Sequence, residues 1–210
     1  MKKSSLRRER TLEGIEVIIF DMDGTLYLLD GDNNGFTNST LQQQVLLKSI
    51  EFIRKRDQCD EVEALRILDE ARNNSVGISV GLAQRYGITR DDYFNVAWDI
   101  EPGGIVREYE IPVKLIKSLG DKRKILLTSS PRVWQRKVAE FLGIEEHFER
   151  VYTGESFSQK DEVFARLCSE FGSAKIISIG DQTQTDIEPA EKLGMRTLLI
   201  SSPSLLIELL

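Results

Sequence analysis

Four short runs along the chain are almost continuously apolar: Glu16-Val17-Ile18-Ile19-Phe20 and the stretches at 124–128, 175–180 and 196–201. A strand with one wet face alternates apolar and polar positions, so unbroken apolarity predicts strands covered on both faces, as in a parallel sheet packed between helices. Amphipathic helical patterns separate the later runs. Val133, Val138, Ala139, Phe141 and Leu142 mark one over 132–142, and Val163, Leu167 and Phe171 mark another over 160–171. Leu142-Gly143 and Leu193-Gly194 place glycine where a left-handed helix C-cap is used. Strand and helix thus alternate, which predicts a doubly wound, Rossmann-like α/β sheet with ligands at the carboxyl ends of its strands.

The chain between Asn38 and Ile111 has a different character. Helical patterns run over 41–56 and 61–72, and a further helix opens at Thr89, where Thr89-Arg90-Asp91-Asp92 resembles a capping box with Asp in place of Glu. Gly77, Gly81, Gly87 and the pair Gly103-Gly104 interrupt the region. This pattern predicts a small all-helical domain at 31–104, inserted after the first strand of an α/β core made of 1–30 and 105–210, with linkers around 30–35 and 101–104.

Charge and composition narrow the function. A net charge of -6 over 210 residues argues against a nucleic-acid partner, which calls for a basic face, but leaves room for a small anion in a locally positive pocket. Cys59 and Cys168 form neither a disulfide framework nor a metal knuckle and are expected as buried thiols. No apolar run approaches the ~18 residues that span a membrane. The basic start from Met1 to Arg10 leads only into the short run at 16–20, not the h-region of a signal peptide. The expectation is a cytoplasmic protein without a membrane partner, monomeric or homodimeric.

The candidate chemistry lies at the ends of the predicted strands. Asp21-Met22-Asp23-Gly24-Thr25-Leu26 follows the first one directly. Two carboxylates this close repel unless a cation or a proton lies between them, and a divalent metal is the simplest compensation. Asp21 can aim one oxygen at a metal and another at a phosphorus atom. Asp23 can offer its main-chain carbonyl to the metal while its side chain handles a proton, Gly24 lets the chain turn, and Thr25 can hydrogen-bond the bend. Thr128-Ser129-Ser130-Pro131 supplies hydroxyls and N–H groups leading into a helix. Lys160 begins the next predicted helix, where the dipole offers an ammonium no local benefit. Asp181 and Asp186, in Gly180-Asp181-Gln182-Thr183-Gln184-Thr185-Asp186, complete the acidic set: Asp181 as a metal carboxylate, Asp186 holding a metal-bound water or orienting Lys160.

Taken in order, the hexapeptide at 21–26, Thr128-Ser129-Ser130, Lys160 and the stretch at 180–186 resemble the four motifs of the haloacid dehalogenase-like hydrolase superfamily. That resemblance implies a phosphatase with Asp21 as nucleophile, Asp23 as general acid and base, Thr128 and Lys160 on the phosphate, and Mg²⁺ held by Asp21, the Asp23 carbonyl and Asp181, with Asp186 counted in the metal site. It also implies that the helical insertion is a C1-type cap that closes over the site and selects the substrate. Family dehalogenases carry an aromatic residue at the position of Asp23, so its carboxylate argues for phosphoryl chemistry. Leu26-Tyr27, Tyr86-Gly87-Ile88, Asp92-Tyr93 and the stretch at 143–155 are similar to the pyrimidine 5′-nucleotidase-like branch, whereas Ser129 stands where Asn is frequent.

The substrate so implied is a small phosphorylated metabolite, a nucleotide or sugar phosphate among the candidates. The rival readings are phosphoryl transfer in a phosphosugar mutase and a non-catalytic phospholigand-binding protein. Asn73, Asn74, Arg85 and Tyr86 are candidate cap residues at the pocket, with plain helix surface or core as the alternative for each, and the apolar tail at 204–210 packs on the core or on a second subunit.

Overall fold

The computed structural model describes residues 11–73 and 77–209, so the basic start and Asn74 lie outside the described residues. In chain order its main elements are β1 (Val17–Phe20), α1 (Thr40–Asp57), α2 (Glu61–Asn73), α3 (Ile78–Tyr86), α4 (Arg90–Ala97), α5 (Glu110–Ser118), β2 (Arg123–Leu127), α6 (Arg132–Leu142), β3 (Arg150–Tyr152), α7 (Lys160–Phe171), β4 (Ile176–Gly180), α8 (Glu188–Lys192) and β5 (Arg196–Leu199). The strands make one parallel sheet in the order β3-β2-β1-β4-β5.

Apolar runs become central strands because each residue has a face to bury. In β1, Ile18 and Phe20 join a core that also holds Leu115, Ile116, Trp134 and Val138 of α5 and α6. Val17 and Ile19 enter the opposite core with Val163, Phe164 and Leu167 of α7 and Ala190 of α8. The sheet is an α/β layer of Rossmann type with helices on both faces. β5 departs from the expected burial: it is an edge strand, paired only with β4, and Leu199 is 51% exposed. β3 carries too little apolar signal to stand out, because its single aliphatic residue, Val151, is 39% exposed on the other edge.

Among the described residues, four α-helices and a short 3₁₀ helix, Asp32–Asn34, lie between β1 and α5. α1 packs on α2 and α4, α2 on α3, and α3 on α4. The capping box at α4 forms as read: Thr89 Oγ1 accepts from the Asp92 N–H, and Asp92 accepts from the Thr89 N–H. α3 was hidden by its glycines. Gly81 lies inside it, where a Cβ would stand 2.5 Å from the Ala71 carbonyl, so this glycine permits close packing on α2 instead of ending a helix. The two segments that link these helices to the sheet run side by side: Leu28 and Arg107 exchange main-chain hydrogen bonds of 2.9 and 3.0 Å, and Arg107 Nη2 donates to the Leu29 carbonyl at 2.7 Å.

Two smaller expectations resolve. Cys59 and Cys168 are free and only half-buried, Cys59 after the end of α1 and Cys168 at the rim of a core. The tail forms a 3₁₀ helix, Pro203–Leu209, that packs against α5 and buries Leu206 and Leu209.

Candidate active site

The direction of winding reverses beside β1: β2 and β3 extend the sheet on one side, β4 and β5 on the other. In such sheets a crevice opens at the strand tips where the order reverses. Asp21 follows β1 and Asp181 follows β4, so their carboxylates come from the two strands flanking that point. The Asp21 N–H donates to the Ile179 carbonyl at 2.9 Å, which extends the ladder one residue and fixes where the side chain leaves the sheet.

Asp21 is 7% exposed and Lys160, the first residue of α7, is 6% exposed. Lys160 Nζ donates to Asp21 Oδ1 and to Asp186 Oδ1, each at 2.6 Å. Thr25 Oγ1 donates to Asp21 Oδ2 at 3.1 Å. Asp186 sits in a π-helical turn, Thr183–Ile187, and its Oδ2 accepts the Gln182 N–H at 3.0 Å. Burial pushes the Asp21 carboxyl up to about 8, with Lys160 pulling down and Asp186 and Asp23 adding to the rise. Burial works against the Lys160 ammonium, but the charges of Asp21 and Asp186 more than offset it and hold its pKa above the ordinary lysine value. Burial, then the charge of Asp186, raises Asp181 to about 6.

Oxygens of Asp21, Asp181 and Asp186 lie within 4.8 Å of one another. The donor set suits a hard divalent cation, which takes carboxylate and carbonyl oxygens. Asp181 Oδ1 is buried and has no hydrogen-bond partner among the described residues, whereas both oxygens of Asp186 are engaged. An unsatisfied buried acceptor costs roughly 1–3 kcal/mol, which a bound cation would remove. Gly24, at φ +83°, brings the loop after β1 against this carboxylate: a Cβ there would stand 2.3 Å from Asp181 Oδ2. These residues fit a Mg²⁺ ion.

Asp23 occupies a different environment. Thr128 Oγ1 donates to its Oδ2 at 3.2 Å, Ser130 Oγ donates to the same oxygen at 2.8 Å, and the Tyr27 hydroxyl donates to Oδ1. Trp134 Nε1 donates to the Tyr27 oxygen at 2.9 Å. An indole N–H can only donate, so the single phenolic proton of Tyr27 is committed to Asp23. Burial, then the charge of Asp23, holds the Tyr27 phenol well above its usual pKa, so it stays protonated. Thr128 likewise accepts the Ser130 N–H at 3.0 Å and turns its own proton to Asp23.

The structure therefore brings together Asp21, Asp23, Thr128, Lys160, Asp181 and Asp186. Thr128 touches Asp23, a contact the sequence reading had not foreseen. A cleft of about 290 Å³ opens above Asp21, Asp23, Ser129 and Lys160, and Phe36, Phe94 and Trp98 line it from the helical side. The expected cap residues are elsewhere. Arg85 pairs with Asp57 at 2.9 Å, Tyr86 packs edge-on to Phe52, Asn73 is exposed at the end of α2, and none of them lines the cleft. A larger groove of about 740 Å³ between α1 and α4, with Lys48, Lys55 and Arg56 in its lining, includes no member of the strand-tip cluster.

Tyr27, Trp134 and the three rings of the cleft were missed as functional candidates. Tyr27 reads as one more member of the run Leu26-Tyr27-Leu28, and only its four-residue offset from Asp23 hints at a contact. Trp134 lies more than a hundred positions away and has no local signal.

A family model for haloacid dehalogenase-like hydrolases matches residues 18–200. No curated protein matches the chain significantly by sequence. Among solved structures, a HAD phosphatase from Thermococcus onnurineus is similar at a TM-score of 0.59 and 18% identity, over 89% of this chain and 86% of that one. A predicted phosphoglycolate phosphatase from Haemophilus somnus 129PT gives 0.54 and 19%, over 90% and 86%. A HAD family enzyme from Bacteroides thetaiotaomicron, solved with magnesium and inorganic phosphate, gives 0.51 and 16%, over 88% and 93%. At these identities the likeness is one of fold. The family match takes in β4, all but the first residue of β1 and every acidic residue of the cluster, and by it the chain belongs to the haloacid dehalogenase-like hydrolases.

Proposed function

We propose that the chain is a Mg²⁺-dependent phosphatase that hydrolyses a small phosphate monoester through an aspartyl-phosphate. The observation that carries this reading is the meeting of Asp21, Lys160 and Asp181 at the winding reversal, beside an Asp23 whose carboxylate is held only by hydroxyls. Phosphatase, phosphate and magnesium in the names of the fold relatives agree with it.

A carboxylate of Asp21 attacks phosphorus; the Asp–phosphorus bond forms as the ester P–O bond breaks, and Asp23 gives its proton to the departing oxygen. Asp23, now ionised, takes a proton from water, whose oxygen displaces Asp21 from phosphorus and releases phosphate. Lys160 keeps a positive charge beside Asp21 and offsets charge on the phosphoryl oxygens. Asp186 acts through Lys160, which it holds against Asp21. Mg²⁺, held by Asp21, Asp181 and the main-chain carbonyl of Asp23, would add further charge neutralisation when bound. The helices at 31–104 serve as the cap on the core domain at 1–30 and 105–210, and the Leu28–Arg107 pair holds together the two core segments between which the cap is inserted.

Phosphate release from p-nitrophenyl phosphate and an alkyl phosphate, read with malachite green, tests the proposal. Chelation with EDTA is expected to abolish release and Mg²⁺ to restore it. Undiminished release in EDTA overturns the metal role. An isomerised sugar phosphate without free phosphate overturns hydrolysis in favour of a mutase.

A further inference from the structure

We infer, resting on the phosphatase reading, that Phe36, Trp98 and Phe94 form a shelf for the leaving group of the ester. The shelf takes an uncharged leaving group with a flat apolar face, a nucleobase or an aryl group, and disfavours one that carries a second anion. Phe36 and Trp98 stack at a centroid separation of 5.1 Å with 12° between their planes, and Phe94 meets Trp98 edge-on at 6.5 Å and 84°. All three line the cleft that holds Asp21 and Lys160. Phe36 lies in the linker between β1 and α1, and Trp98 caps the end of α4, so the shelf is built where the helical layer joins the sheet. Phe36 keeps 36% of its surface exposed while stacked on Trp98.

Charge supports the same choice. Among the described residues, the one cationic side chain lining the cleft is Lys160, and both of its carboxylate partners already claim it. Arg90 lies over the Phe94 ring at 5.2 Å but does not line the cleft. A carboxylate or second phosphate on the leaving group would therefore face Asp21 and Asp23 with no cation of its own. An aromatic ring meets no such repulsion, and ring-on-ring stacking tolerates different bases because each presents a π-face. The cleft, about 290 Å³, is small. Ligand pockets usually span roughly 300–1,000 Å³, so the ester is a compact one.

The test compares a nucleoside 5′-monophosphate, benzyl phosphate, glycerol phosphate and phosphoglycolate on the full chain with Mg²⁺. The two ring-bearing esters are expected to exceed the other two in kcat/KM, and which of them leads tells a nucleobase from an aryl group. Phe36→Ala and Trp98→Ala should each raise KM for ring-bearing esters by about tenfold, which is about 1.4 kcal/mol, and raise it for glycerol phosphate by much less. Preference for phosphoglycolate, or an equal loss on all four esters, overturns the shelf. Should Trp98→Ala fail to fold, Phe36→Leu at its partly exposed position carries the same comparison. Quenching of tryptophan fluorescence by the nucleoside monophosphate or by benzyl phosphate in EDTA gives a readout free of turnover: saturable quenching that Trp98→Phe loses supports the shelf, and its absence with both overturns it. Release of phosphate from none of the four esters, with quenching intact, would sink the phosphatase reading and leave the shelf standing as a binding site.

Discussion

The floor and the wall of the cleft are built from opposite materials. At the strand tips, side chains that follow β1, β2 and β4, with Lys160 at the start of α7, form a dense polar lattice in which almost every oxygen has a partner. Across from it, the linker and α4 present three aromatic rings with hardly a polar atom among them. The contrast teaches how such a site divides its work. Charge that develops during reaction is met by fixed groups on rigid elements, whereas the spectator part of the substrate is met by surface area, which varies at little cost to the chemistry. Damage to the floor should therefore appear in kcat, and damage to the wall in KM.

The largest effect is expected from Asp21→Asn, with kcat down at least about a thousandfold and substrate binding retained. Stability should change little, because the amide is nearly isosteric with the carboxyl, burial disfavours the charged form of Asp21, and Lys160 keeps Asp186 as a partner. Turnover near the unaltered rate in purified Asp21→Asn would remove Asp21 from the chemistry and erase the contrast at its root.

A smaller effect sharpens the floor itself. Tyr27→Phe deletes one hydrogen bond to a charged acceptor, generally ~1.5–3 kcal/mol, so kcat on an alkyl phosphate should fall about ten- to hundredfold. With p-nitrophenyl phosphate the loss should be slight, since that leaving group departs without a proton. Trp134→Phe, one bond further out, should show the same pattern more weakly. Equal losses on both esters would make Tyr27 a packing residue and not a guide for Asp23.

The smallest effect concerns stability. In the folded protein without metal, burial pushes Asp21 up to about 8 and Asp181 up to about 6. An unfolded aspartate titrates near ~3.9, so between these values the folded state binds more protons than the unfolded one. The stability these two groups contribute is then fully present below pH ~4 and is lost as pH rises toward about 8. Carboxylates such as Asp30, Asp92 and Asp99, whose pKa values are lowered by hydrogen bonds, lose protons before this window and do not mask it. Thermal melts in EDTA should show Tm falling from pH 5 to pH 8, and Mg²⁺ should flatten the slope by replacing the protons. A flat profile in EDTA would mean that Lys160 alone keeps Asp21 ionised.

Much of this was legible in the chain because the relevant signals are local. A run such as Val17-Ile18-Ile19-Phe20 can bury both faces only inside a covered sheet, and acidic residues at the tip of such a strand must find a counter-charge. Thr89 announced the start of α4 through a bond made three residues away. Signals that depend on a neighbour were silent or misleading. Gly81 looked like a breaker until Ala71 was packed against it, and the run that became β5 looked buried until the sheet ended there. Arg85 and Tyr86 were candidate pocket residues, yet each is taken up by a contact with α1 and neither lines the cleft.

By itself, the sequence determined the sheet's central strands, the identity of the acidic residues and lysine at their tips, and the helical character of the region between the first two strands. Those properties follow from periodicity and charge within a few residues. Only the tertiary structure decided that Trp134 would commit the proton of Tyr27 to Asp23, that one oxygen of Asp181 would be left open, and that Phe36 would stack on Trp98. Each of these joins residues far apart in the chain, and such contacts come from how whole elements pack, which no local pattern encodes.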